Sequence, residues 1–183
     1  MAVAALAMLL LAVACSGGGS TSTASSPTSP STTAPEVTVP ASTTTTKSPI
    51  DGVQTFSVVA AHSDAPVNYP NVPPVGGTHN PTWQPCTFYD APVQSEKAVH
   101  SLEHGAIWVT YRPDLPAAEV DTLAALARSR KDIVASRWDS GLPAPVVVTA
   151  WGRQLALQSV SDPRLMAFVL LYTNKGPELN APC

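Results

Sequence analysis

The chain has 183 residues, with 10 Lys or Arg against 13 Asp or Glu and a net charge of −3. Glu36 and Lys47 cancel, so the whole acidic excess falls beyond residue 50, and that region offers no basic patch of the kind nucleic acid requires. Nineteen prolines and three cysteines are spread so unevenly that one foldable stretch is preceded by one that cannot bury a core.

Met1 to Ala14 (MAVAALAMLLLAVA) is an unbroken apolar run. It is shorter than the ~20 residues a helix needs to cross a bilayer, which predicts the core of an export signal. LAVAC resembles a bacterial lipobox, although Ala12 stands where a larger aliphatic residue is usual and no Lys or Arg precedes the run. Residues 1–15 are therefore expected to be a lipoprotein-type signal peptide with Cys15 lipidated, which makes membrane lipid the partner and the outer, extracytoplasmic face of the cell membrane the address. The alternative is an ordinary secreted chain cut near Ala14. Residues 16–50 are mostly Ser, Thr and Pro with almost no large apolar side chain, a composition that cannot offset the entropy of ordering its backbone. They are expected to form a disordered tether, reaching on the order of 100 Å when fully stretched at ~3.3 Å per residue.

Residues 51–183 have the size of one domain. Val53 to Ala61 is apolar and β-branched, which predicts a first strand. From His62 to Pro85 six prolines and Gly76-Gly77 argue against regular structure. Tyr69, His79 and Trp83 nevertheless suit an ordered wrap. Ser95 to His104 predicts a short helix with Ser95 as cap and Gly105 as stop. Ala106 to Arg112 alternates Ile107, Val109 and Tyr111 against Trp108 and Thr110, the signature of a strand. A helix is predicted from Pro116 to Ser129, with Val120, Leu123, Leu126 and Ala127 on its apolar face. Ile133 to Ser136 follows as a short strand, then Val146 to Trp151 and Gln154 to Leu157 as a hairpin turning on Gly152-Arg153. Asp162-Pro163 starts a last helix that runs to Gly176-Pro177. The sum is a single α+β domain: a mixed or antiparallel sheet carrying two main helices, with a proline-rich wrap.

With Cys15 committed to lipid, Cys86 and Cys183 are the remaining thiols, and an exported compartment favours joining them. Two unpaired thiols are the weaker reading outside the cytoplasm. All four histidines, His62, His79, His100 and His104, fall between positions 62 and 104. His100 and His104 share a face on a helix or a strand, whereas Glu103 joins them only on a helix. HxxEH is the inverted zinc-peptidase pattern, but Gly105 ends any helix directly after it and a strand follows. The simpler reading gathers His79, His100 and His104, with Glu103 or His62, around Zn(II) or Cu(II), since imidazole suits both ions. Against it stands a metal-free brace, in which the imidazoles bond the wrap to the sheet and Glu103 accepts from an imidazole or from Arg153. No serine lies in a GxSxG elbow. Arg153 beside Trp151 in TAWGR could receive an anion or stack.

At these residues the chain resembles the DUF3105 family of bacterial extracytoplasmic proteins, whose function is unassigned. The likeness runs through VNYP after His62, PPVGGTHNPTW, Cys86 with FYDAPV, VHSLEHGAIWVTYRPDL and TAWGR. Thr87-Phe88 departs from the pattern where a Gly is commoner. The resemblance implies a shared fold and makes the His/Glu cluster a family feature, without supplying a reaction. The expected function is a membrane-anchored lipoprotein binding a transition metal or small ligand, with a structural or protein-interaction module of the cell envelope as the alternative and a metal-dependent hydrolase third.

Overall fold

The longest apolar runs form the centre of a sheet, because strands covered on both faces need hydrophobic side chains at every position. The structure, a computed structural model, describes residues 37–38, 42–43, 47–139, 141–178, 181 and 183. The export signal, Cys15 and most of the expected tether lie outside the described residues; of that tether, Val37–Thr38 and Ser42–Thr43 pair as strands and Ser48 bonds Tyr172, which a wholly disordered segment would not do. In chain order the elements are β1 (Val37–Thr38), β2 (Ser42–Thr43), β3 (Gln54–Ser57), β4 (Ala61–His62), β5 (Val67–Asn68), β6 (Thr78–His79), β7 (Phe88–Tyr89), α1 (Ser95–Glu103), β8 (Ile107–Tyr111), α2 (Ala117–Ser129), β9 (Ile133–Arg137), β10 (Val146–Ala150), β11 (Arg153–Leu157) and α3 (Pro163–Tyr172).

An open sheet runs β3-β11-β10-β8-β9-β7, and the two-residue β2 extends it beyond β3. It is mixed. β10 and β11 form the antiparallel hairpin, β8 pairs antiparallel with β10, and α2 is the crossover that brings β9 back parallel to β8. Alternation divides the core between two faces. Ile107, Val109, Ile133, Val146, Val148, Leu155 and Leu157 pack against Leu123 and Ala127 of α2 and Leu165, Phe168 and Val169 of α3. Trp108 and Val134 point the other way, onto Ala98 and Leu102 of α1. The two main helices thus share one face, and α1 with the wrap covers the other. This single α+β domain agrees with the expected class.

The differences lie at element ends. The first strand stops at Ser57, short of Ala61: its partner β11 begins at Arg153, and Ala61 instead opens β4, paired with β6. That turn falls on Trp151-Gly152 rather than Gly152-Arg153: Gly152 takes φ +65°, where a Cβ would sit 2.8 Å from Phe56 O. Arg153 is therefore a strand residue, paired with Ala150. Ser95 is the first helical residue of α1 and Gln94 holds the cap position without a side-chain bond. Asp162 caps α3 as expected, accepting from Arg164 N, but the helix ends at Tyr172, well before Gly176. The reason is tertiary, since Asn174, at φ 56°, turns the chain toward α1 and donates to Gly105 O at 2.9 Å.

The wrap holds more regular structure than its prolines predict. β4 and β6 form a two-residue parallel pair within it, and β7 joins the sheet edge alongside β9. It is bonded to α1 by Gln84 N to Lys97 O at 3.0 Å, Ser101 Oγ to Gln84 O at 2.6 Å and Val67 N to Glu96 Oε1 at 3.2 Å. Tyr69 reaches Thr78 O at 2.7 Å, and burial raises its hydroxyl pKa, with the Glu96 charge adding to the shift. Cys86 and Cys183 are joined by a disulfide, their Cα atoms 5.2 Å apart, and both pack on the Trp108 side of the core.

Candidate metal centre

Two elements bring the histidines together. The parallel pairing of β4 with β6 sets His62 beside His79 in register. Because α1 is helical through Glu103, His100 and Glu103 project from one face, i to i+3, toward that pair. His79 is fully buried and His100, Glu103 and His104 nearly so, while the His62 side chain is 51% exposed. One donor atom from each of His62, His79, His100 and Glu103 lies within 4.8 Å of the other three. The rings meet accordingly, His62 with His79 at 4.8 Å and each of these with His100 at 5.0 Å.

Glycine makes the His79 position possible. Gly77, at φ +110°, lies in the left-handed region that a side chain would strain, and its carbonyl turns back to accept from His79 Nδ1 at 2.8 Å. Asn80 O accepts from His100 Nδ1 at 2.7 Å in the same way. A carbonyl only accepts, so both Nδ1 atoms carry hydrogen, which leaves Nε2 as the one donor atom each neutral ring can offer an ion. Outer-shell carbonyls orient metal-binding imidazoles by this arrangement.

Proton counting locates the unusual contact. His100 Nε2, 2.9 Å from His104 Nε2, is satisfied if His104 donates. His79 Nε2 lies 2.9 Å from Glu103 Oε2, and His62 Nε2 is 3.4 Å from that same oxygen. A lone pair facing a carboxylate oxygen requires a hydrogen on one of them or a cation shared between them. Tetrahedral zinc with bonds of ~2.1 Å sets its donors about 3.4 Å apart, which the His62 spacing matches, whereas the shorter His79 spacing is that of a hydrogen bond.

Sequence reading named these residues but could not divide them. His104 belongs to a second grouping with His100 and Glu178, its Nε2 3.7 Å from Glu178 Oε2. Nothing in NKGPELN marks Glu178 as a site residue. It arrives because Glu178 N donates to Glu103 O at 3.1 Å, which docks the tail on the end of α1. Trp83 stands over both rings, 6.1 Å from His100 and 5.6 Å from His104. Arg153, an expected partner of Glu103, donates instead to Gly152 O at 2.8 Å.

Burial holds the His100 imidazole below its ordinary pKa, against the Asn80 carbonyl, which favours the charged ring. An unfolded histidine protonates near pH 6.5. Folded His100 resists to lower pH, so below that value the unfolded chain binds more protons and folding weakens. Chelator-treated protein is expected to lose stability progressively as pH falls below about 6.5, with His100→Gln showing a shallower loss. Urea midpoints at pH 7.5 and 5.5 measure it; equal slopes in both proteins would refute the assignment to His100.

An open α+β sheet with a buried His/Glu cluster clamped by a glycine- and proline-rich wrap defines the class of this protein. The family model for DUF3105, described as a protein of unknown function, matches residues 61–183, and the chain belongs to that family. No curated protein and no solved structure matches the chain.

Proposed function

We propose that this domain binds one transition-metal ion, Zn(II) or Cu(II), through His62, His79, His100 and Glu103, and that it works as an extracytoplasmic lipoprotein held to the membrane through Cys15. The observation that carries the metal reading is the convergence of four donor atoms within 4.8 Å, two from imidazoles whose other nitrogen is already committed to a carbonyl. Three nitrogens and one carboxylate oxygen suit either ion. The LAVAC sequence ending at Cys15 and the Ser/Thr/Pro stretch behind it support the anchored address.

Glu103 lies inside the donor set, against His79, instead of standing off where a general base would activate a metal-bound water. That position favours holding an ion over hydrolysis. The competing reading, a metal-free envelope module, draws support from the hydrogen bonds the cluster already makes to the wrap, at Gly77 and Asn80.

Zinc titrated into chelator-treated protein is expected to bind one per chain and to stabilise it by about 2.7 kcal/mol at a hundredfold excess over Kd. Calorimetry with thermal melting reads both quantities. A melting point indifferent to zinc, copper and chelator leaves the structural reading standing.

A further inference from the structure

Trp151, which meets His79, also lines a second cavity. Lys47, Arg153 and Lys175 converge on a cavity of about 370 Å³ whose walls include the rings of Trp151 and Tyr172. Among the described residues no Asp or Glu lines it, in a chain where acids outnumber bases. Arg130, Arg137 and Arg164 each have a carboxylate partner two residues away. Among the described residues the three pocket cations have none, and Arg153 spends one donor on Gly152 O. Cations that line one cavity without carboxylate partners make it a favourable place for an anion.

The walls are held by structure independent of any ligand. Trp151 meets His79 edge-on at 5.9 Å, and a Cβ on Gly76 would lie 3.2 Å from its ring. Ser48 Oγ bonds the Tyr172 hydroxyl at 2.8 Å, which fixes the Lys47 segment against α3. Arg153 comes from β11, and its planar fork of donors matches a phosphate or carboxylate. Aromatic rings beside that fork add a face for an apolar or ring-bearing body.

We propose that this pocket binds a small organic anion bearing an aromatic ring, with Arg153, Lys175 and Lys47 on the charged group and Trp151 and Tyr172 against the ring. The pocket shares no lining residue with the proposed metal donors, although Trp151 packs against His79. Titration of the chelator-treated protein with phenyl phosphate, inorganic phosphate and phenol, followed by calorimetry and tryptophan emission, tests it. Phenyl phosphate is expected to bind at least about tenfold more tightly than either half alone, more weakly as NaCl rises. Arg153→Gln and Lys175→Gln should each weaken it about tenfold, whereas Arg137→Gln, in an ion pair elsewhere, should leave it unchanged. Lys175 follows the end of α3, so its variant keeps the test informative if Arg153→Gln misfolds. Absence of phenyl phosphate binding, equal binding of phosphate alone, or wild-type affinity in Lys175→Gln would each overturn the proposal.

Discussion

In His79→Ala protein zinc is expected to give no stabilisation, and the metal-free domain should itself melt well below wild type. The imidazole is fully buried and bonded at both nitrogens, to Gly77 O at 2.8 Å and to Glu103 Oε2 at 2.9 Å. Removing it leaves a cavity and strands two buried hydrogen-bonding groups, at about 1 to 3 kcal/mol for each stranded group, so the loss in metal-free protein should be roughly 3 to 5 kcal/mol. His62→Ala is the informative companion. Its ring is half exposed, so a change there should cost the metal-free fold no more than about 0.5 kcal/mol. As a ligand, however, its loss should weaken zinc by at least about tenfold, since even outer-shell changes cost 10- to 100-fold. Chemical denaturation and zinc titration on both variants separate the readings. If the cluster only braces the wrap, His62→Ala will match wild type in both measurements.

The second large effect is expected from the disulfide. Cys86 and Cys183 are 97 residues apart, and closing a loop of that length stabilises by roughly 3 to 5 kcal/mol on the chain-entropy model. Cys86→Ser, Cys183→Ser protein should melt about 10 to 20 °C lower than wild type, by the usual slope for a domain of this size. The bond also holds the segment that carries Glu178 close to His104, and Gly176 packs against Glu103 O so closely that a Cβ there would collide. Loss of the disulfide should therefore expose the cluster's rear. Hydrogen exchange at Gly105 and Ala106, beside the docked Asn174, is expected to quicken more than exchange in β10. Uniform quickening would show that the bridge stabilises only globally.

Several features were legible because they depend on neighbours in sequence. Asp162-Pro163 announced the start of α3, since a capping carboxylate and a first-turn proline act within one turn. The alternation from Ile107 to Tyr111 announced β8, and the sheet sorts those residues to opposite faces as a period of two demands. Cys86 and Cys183 could be paired by elimination. The His/Glu residues could be named as a set, because helical spacing joins His100 to Glu103 and the glycines before His79 mark a backbone held close.

What sequence could not supply is everything that depends on partners from distant positions. The end of β3, the early stop of α3 and the arrival of Glu178 follow from which segment lies alongside. The register that sets His62 against His79 is made by two-residue strands too short to leave a periodic pattern. By itself the sequence determined the sheet, its helices and which residue types carry the chemistry, because these follow from local spacing and hydrophobic pattern. Only the tertiary structure decided that Glu103 faces His79, that His104 turns toward Glu178 and that Arg153 opens on a cationic pocket. Those outcomes depend on long-range packing, where one segment's donors and acceptors are matched by whichever other segment the fold brings within reach.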